Sequence, residues 1–178
     1  DEDIKIFRER GLMAVTNPGS NTKLSSGIAR ISDLLGAGVG IAIGTDGPAS
    51  NNCLDMFREM FLVTGLAKLR EEDAAAVPAE EVLKMAVLGG ARAMGIKDGG
   101  CLAAGNLADL IVIDLKQPNM QPINHIVKNL VYSGSKQNVK LTMVNGKVLY
   151  EDGKFFVGVD PEEIYEKANW IIGRMTGR

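Results

Sequence analysis

Apolar positions along the chain alternate between helical and strand-like spacing. Residues 2 to 10 place Ile4 and Phe7 on one side of a charged segment, and Gly11 closes that pattern as a helix-ending glycine. Leu12-Met13-Ala14-Val15 is a continuous apolar run of strand length. Such a run marks a strand covered on both faces, and this one stops at the turn formers Asn17-Pro18-Gly19. Helical spacing returns from about Ser26 through Ile28, Ile31, Leu34 and Leu35, then ends in Gly36-Ala37-Gly38. Val39 to Ile43 reads as a second buried strand running into Gly44-Thr45-Asp46-Gly47. Further helices are expected from about Leu54 to Leu69, with Phe57, Phe61, Thr64 and Lys68 at near-regular steps, and after Pro78, which suits a first helical turn.

Strand, helix, strand, helix with two-sided apolar strands predicts a parallel α/β sheet, and two such units on short loops fit a (β/α) barrel. After Gly99-Gly100 the texture turns to β. Leu110-Ile111-Val112-Ile113 and Leu141-Thr142-Met143-Val144 are strand runs, and Asn145-Gly146 leads from the second into Lys147-Val148-Leu149-Tyr150. Asn-Gly between two such runs predicts a tight hairpin, because both turn positions need positive φ. Asp152-Gly153 suggests a second turn. An acid, a first-turn proline and an N3 glutamate in Asp160-Pro161-Glu162-Glu163 announce a last amphipathic helix carrying Ile164, Ala168, Ile171 and Ile172.

Composition narrows the class. With 178 residues, 46% hydrophobic, the chain is long enough for one ordinary core. A net charge of -2 with acids and bases interspersed argues against a nucleic-acid-binding face and for a small-molecule substrate. No apolar run approaches the roughly 18 residues of a membrane helix, and no signal peptide is seen, so a cytoplasmic protein is expected. Cys53 and Cys101 fit neither a redox pair nor a zinc knuckle and read as reduced, partly buried thiols. The first residue, Asp1, lies in what reads as a helix already under way, which raises the expectation of an upstream segment.

Asp46 is the sharpest candidate for chemistry. It follows a buried strand between two glycines, and in parallel α/β barrels the carboxy ends of the strands form the catalytic face. Aspartate beside glycine is also a common turn former or helix cap, and the local sequence leaves both readings open. Asn21, Ser50 and Asn51 are placed in loops on the same presumed face as weaker substrate-contact candidates. The Gly36-x-Gly38-x-Gly40 pattern follows a helix and precedes a strand, the reverse of a dinucleotide loop, and reads as a helix stop. His125, the sole histidine, sits among apolar residues and reads as structural, since a catalytic zinc generally takes three protein ligands.

Two stretches carry a family resemblance: Asn17-Pro18-Gly19-Ser20-Asn21-Thr22-Lys23-Leu24-Ser25-Ser26-Gly27-Ile28, and the run from Gly44-Thr45-Asp46-Gly47-Pro48 through Ser50-Asn51-Asn52 to Leu54-Asp55-Met56-Phe57. With Gly89-Gly90-Ala91-Arg92-Ala93-Met94-Gly95, Gly105-Asn106-Leu107-Ala108-Asp109 and Val144-Asn145-Gly146-Lys147, they resemble the amidohydrolase superfamily over nearly the whole chain. Within it the match looks like the 5′-methylthioadenosine/S-adenosylhomocysteine deaminases and their chlorohydrolase-like relatives.

The resemblance implies an α/β chain in three parts. Residues 1–98 would be the last part of a metal-dependent (β/α)8 barrel, residues 99–159 part of a β-sandwich domain, and residues 160–178 a C-terminal helix. It also implies that Asp46 touches a divalent metal, zinc by expectation, and shuttles protons in the hydrolytic deamination of an adenine nucleoside. Guanine or a triazine-like heterocycle is the alternative substrate class, and a non-catalytic scaffold subunit the alternative role. The remaining ligands would be histidines in an upstream segment of the same enzyme. Where the family usually carries histidine before Asn/Cys-Pro, this chain has Thr16. Two barrel units leave strand edges open, so that upstream segment is the expected partner, without which this chain would be inactive, and the full enzyme is expected to be a homo-oligomer.

Overall fold

The computed structural model describes residues 1–177, which form two compact units. The first comprises residues 1–106 and 115–138, the second residues 107–114 and those from 139 onward.

In the first unit, helix α1 (Glu2–Glu9) leads through Gly11, at φ 62°, into strand β1 (Met13–Thr16). The turn expected at Asn17-Pro18-Gly19 is instead the start of helix α2 (Pro18–Leu24). Asn17 occupies the N-cap and Pro18 the first helical position, where its missing N–H is no loss. The helix expected from Ser26 is shorter: α3 spans Ile31–Gly36, Ile31 is buried and Ile28 is exposed. Strand β2 (Gly40–Ile43) pairs in parallel with β1, Thr16 lying opposite Ile43. Strand, helices and a parallel strand make the α/β arrangement that the alternating periods predict.

Helix α4 (Met56–Glu71) begins at Asp55, whose carboxylate accepts the Phe57 N–H. Its buried face is Phe57, Glu59, Met60, Val63, Thr64 and Ala67, whereas Phe61, one near-regular step after Phe57, is exposed. Helix α5 (Ala79–Lys84) continues through a π-turn at Met85–Gly89 into α6 (Gly90–Ala93). Gly89 lies against the Ile41 carbonyl of β2, where any Cβ would collide, so this glycine sets how closely the helix approaches the sheet.

Segment 115–138, expected among the β-rich residues, packs on the first unit. Helix α7 (Ile126–Tyr132) lies against α4 and α5, and Met120 and Val131 are fully buried. His125 therefore sits at the N-cap of α7, exposed, with Nε2 3.5 Å from Glu80 Oε1. Cys53 is half-buried and Cys101 exposed, so the expectation of burial fails for the second thiol.

The second unit is an antiparallel sheet ordered β3 (Leu110–Ile113), β4 (Val139–Val144), β5 (Lys147–Glu151), β6 (Lys154–Phe155), followed by helix α8 (Pro161–Thr176). Asn145 and Gly146 both adopt positive φ in the β4–β5 turn, as do Asp152 and Gly153 in the next. Asp160 caps α8 by accepting the Glu162 N–H at 3.0 Å. The apolar stripe of α8, including Ile164, Trp170 and Ile172, is exposed. No helix among the described residues is long and apolar enough to cross a membrane.

Candidate functional site

The first unit brings α2, the segment after β2 and α4 together around Asp46. Parallel pairing runs one step past β2, since Gly44 N–H donates to Thr16 O at 2.9 Å. Two residues on, Asp46 adopts φ 60°, a left-handed conformation that aspartate tolerates better than most residues. This turns an exposed carboxylate out of the sheet line and back over α2. Its Oδ2 accepts the hydroxyls of Ser20 and Ser50, each at 2.7 Å, and its Oδ1 accepts the Gly47 N–H at 2.8 Å.

These donors favour the ionised form. The Ser20 hydroxyl first, then Ser50 and the Gly47 N–H, hold the Asp46 carboxyl below the usual carboxylate range, against a smaller opposing effect of desolvation. A carboxylate offers about four lone-pair sites. Three are engaged here, so Oδ1 retains one for an additional partner. Asp46 is thus both a loop brace and an outward-facing charge.

Beneath it lies a buried polar cluster. Glu59, fully buried on α4, accepts the Gly19 N–H at Oε2 and the Asn51 side-chain amide at Oε1, both at 2.7 Å. The second Asn51 amide hydrogen goes to Thr45 O at 2.9 Å, and Asn51 Oδ1 accepts the Cys53 N–H at 3.2 Å. Gly19 has no room for a side chain, because a Cβ there would meet Glu59 Oε1 and lie 2.8 Å from Asn51 Nδ2. Lys23, on the exposed side, ties α2 to the same loop through Ala49 O at 2.8 Å and Asn52 Oδ1 at 2.7 Å.

The four candidates from the sequence thus separate. Asp46 and Ser50 meet directly. Asn51 was expected to face a ligand from a loop; it is instead 2% exposed with both amide hydrogens engaged inside the protein, because Glu59 draws it inward. Asn21 is helical rather than in a loop, and lines a small cleft with Thr16, Ile28, Val63 and Ala67. Ser20 and Glu59 escaped the sequence reading. Ser20 was hidden by reading α2 as a turn. Glu59 did leave a signal: it shares the i, i+4, i+8 row of α4 with Val63 and Ala67, a core row interrupted by an acid.

Among the described residues no group of three or more His, Cys, Asp or Glu side chains could hold a metal ion. A catalytic zinc takes about three protein ligands. The described residues supply no such set around Asp46, and Thr16, buried at the end of β1, offers a hydroxyl at the position where the resemblance implies histidine.

Comparison with known proteins gives this geometry its context. The amidohydrolase family model matches residues 1–149. The chain is 42% identical over 172 residues to a 5-methylthioadenosine/S-adenosylhomocysteine deaminase of Syntrophobacter fumaroxidans, covering 96% of this chain and 39% of that protein. It is 42% identical over 178 residues to a 5′-deoxyadenosine deaminase of Methanosarcina mazei, covering all of this chain and 41% of the relative. A crystal structure of an adenosine deaminase from Xanthomonas campestris with bound zinc superposes with a TM-score of 0.94 at 36% identity, over 99% of this chain and 40% of that one. The chain therefore spans about two-fifths of the length of the relatives it matches.

Proposed function

The chain belongs to the amidohydrolase family, and from that premise we propose that it is the carboxy-terminal portion of a metal-dependent enzyme that hydrolytically deaminates an adenine nucleoside. The relatives named for 5-methylthioadenosine, S-adenosylhomocysteine and 5′-deoxyadenosine support this substrate class. The observation that carries the reading is Asp46: a carboxylate just beyond a parallel strand, oriented by two hydroxyls and a backbone N–H, with one lone pair to spare. In this reading the first unit contributes the closing part of a (β/α)8 barrel and the β-rich residues part of a sandwich domain. The enzyme is cytoplasmic and homo-oligomeric.

In the net reaction water adds at the purine C6 and the amino group departs as ammonia. Zinc, when bound, supplies Lewis acidity that brings the pKa of a water toward about 7. Asp46 would hold the metal through its free Oδ1 lone pair, with histidines of an upstream segment as the remaining ligands. To accept the proton of the attacking water, Oδ2 would release one of its two serine donors. Ser20, Ser50 and the Gly47 N–H favour the charged form of Asp46, so a proton it takes up would be returned to the leaving nitrogen. Ser20, Ser50 and the Gly47 N–H fix the carboxylate's rotation before the proton arrives, and Asn21 and Ser50 are the polar side chains offered to substrate.

The two-stranded parallel sheet leaves Leu12 and Val15 exposed. An upstream segment of the same enzyme would cover this region and bring the remaining ligands.

The test is turnover of the intact gene product on a panel of adenine nucleosides, guanine and a triazine. Ammonia release is expected from the adenine nucleosides, and Asp46→Asn should lower kcat by about 10²- to 10⁴-fold with the fold retained. Near wild-type turnover by Asp46→Asn would reject the role of this carboxylate, and turnover confined to guanine or the triazine would reject the substrate class.

A further inference from the structure

We infer that Glu59 is a positioning residue for Asp46, acting through Asn51; the inference rests on the reading of Asp46 proposed above. Glu59 is fully buried. Burying a carboxyl there is costly unless it is hydrogen-bonded, a cost that a methionine of similar volume would avoid. What the carboxyl does, and methionine could not, is accept from two separate chain segments at once: Gly19 N–H and the Asn51 amide, both at 2.7 Å.

Those segments are the ones that hold Asp46. Gly19 immediately precedes Ser20, and Asn51 immediately follows Ser50, the two hydroxyl donors to Asp46 Oδ2. The other amide hydrogen of Asn51 binds Thr45 O, on the residue just before Asp46. One side chain of α4 therefore sets the neighbours of Ser20, Ser50 and Asp46 together. Gly19 fits the arrangement because any Cβ would displace the Glu59 carboxyl.

Glu59→Gln keeps the shape but not the polarity. Its amide can accept from only one of the two donors, so either the Gly19 N–H or the Asn51 amide loses its acceptor. If Asn51 turns to present its oxygen to the new amide, it surrenders the bond to Thr45 O. The polar cluster then no longer places the Asp46 carboxylate, although Glu59 itself touches no substrate.

The experiment is a double-mutant cycle in the intact gene product, read as kcat and KM for 5′-methylthioadenosine, with folding followed by circular dichroism. Glu59→Gln is expected to lower kcat by about ten- to a hundredfold, the scale of a misplacement near 1 Å, with KM little changed. In the Asp46→Asn background the same substitution should add no further loss, because its effect runs through Asp46. Equal losses in both backgrounds, or wild-type kcat in folded Glu59→Gln, would overturn the inference. If Asp46→Asn is itself inactive while Glu59→Gln is unimpaired, only the positioning role fails; if Asp46→Asn is fully active, the reading of Asp46 fails and takes this inference with it. Should Glu59→Gln not fold, Asn51→Ser severs the link to Thr45 and leaves the Gly19 to Glu59 bond, and the same two-background readout applies.

Discussion

Ser20 and Asp46, 26 positions apart in the chain, meet hydroxyl to carboxylate at 2.7 Å. This contact is the largest cause of the lowered Asp46 pKa, so it has a pH signature of known sign. A carboxyl whose pKa is lower in the folded state than in the unfolded chain stabilises the fold fully above its unfolded value. That contribution is lost as pH falls through the folded value. Ser20→Ala should therefore lower Tm most above about pH 5, and the gap to wild type should narrow in acid. Tm measured across a pH series checks this, and a gap that widens in acid would sink the assignment.

Gly19→Ala pits two effects against each other. Alanine gains about 1 kcal/mol over glycine inside a helix. Overpacking a filled core costs about 1 to 3 kcal/mol, and here the added methyl meets a fully buried carboxyl and the Asn51 amide at 2.8 Å. The clash should win, giving net destabilisation in urea unfolding together with reduced kcat. A stabilised variant would show that the Glu59 cluster has slack.

Asp55 joins distant parts of the first unit. Its Oδ1 accepts the Phe57 N–H at 3.0 Å as the cap of α4, and its Oδ2 accepts the Lys136 N–H at 3.2 Å. Asp55→Ala should cost about 1 to 3 kcal/mol, a lost cap plus an N–H left without its acceptor. Asp55→Asn keeps the cap but turns an amide toward Lys136, so its loss should be intermediate. Equal stability of all three proteins by denaturant unfolding would contradict the bridging role.

Metal content is expected to depend on more than these residues. The 178-residue polypeptide, dialysed against zinc and analysed by plasma mass spectrometry, should retain well under one ion per chain, since no three ligands come together among the described residues. The intact gene product should retain about one, the open catalytic site of three protein ligands and a water. Stoichiometric zinc in the short polypeptide would refute the ligand argument, and none in the intact product would favour a scaffold role.

Sequence alone determined the elements whose cause is local. The alternation of apolar runs with helical spacing gave β1, β2 and α4. Asn145-Gly146 fixed a hairpin because its backbone needs positive φ, and Asp160-Pro161 started α8 because cap and first-turn preferences act within a few residues. It also singled out Asp46, since glycines beside an acid after a buried strand are a local pattern. Tertiary structure alone decided which neighbours that acid has. Pro18 opens a helix instead of a turn only because the ensuing turn packs Pro18, Gly19 and Ser20 inward, and that packing delivers Ser20 to Asp46. Asn51 turned from an expected surface contact into a buried brace because Glu59, eight positions on, offers an acceptor that only a folded α4 presents. Segment 115–138 left the β-rich region because Met120 and Val131 find their burial against the first unit. Periodicity reports how a residue relates to its own element, whereas hydrogen-bond partners and burial depend on which elements meet, and in this protein the meeting of α2, α4 and the segment after β2 makes the site.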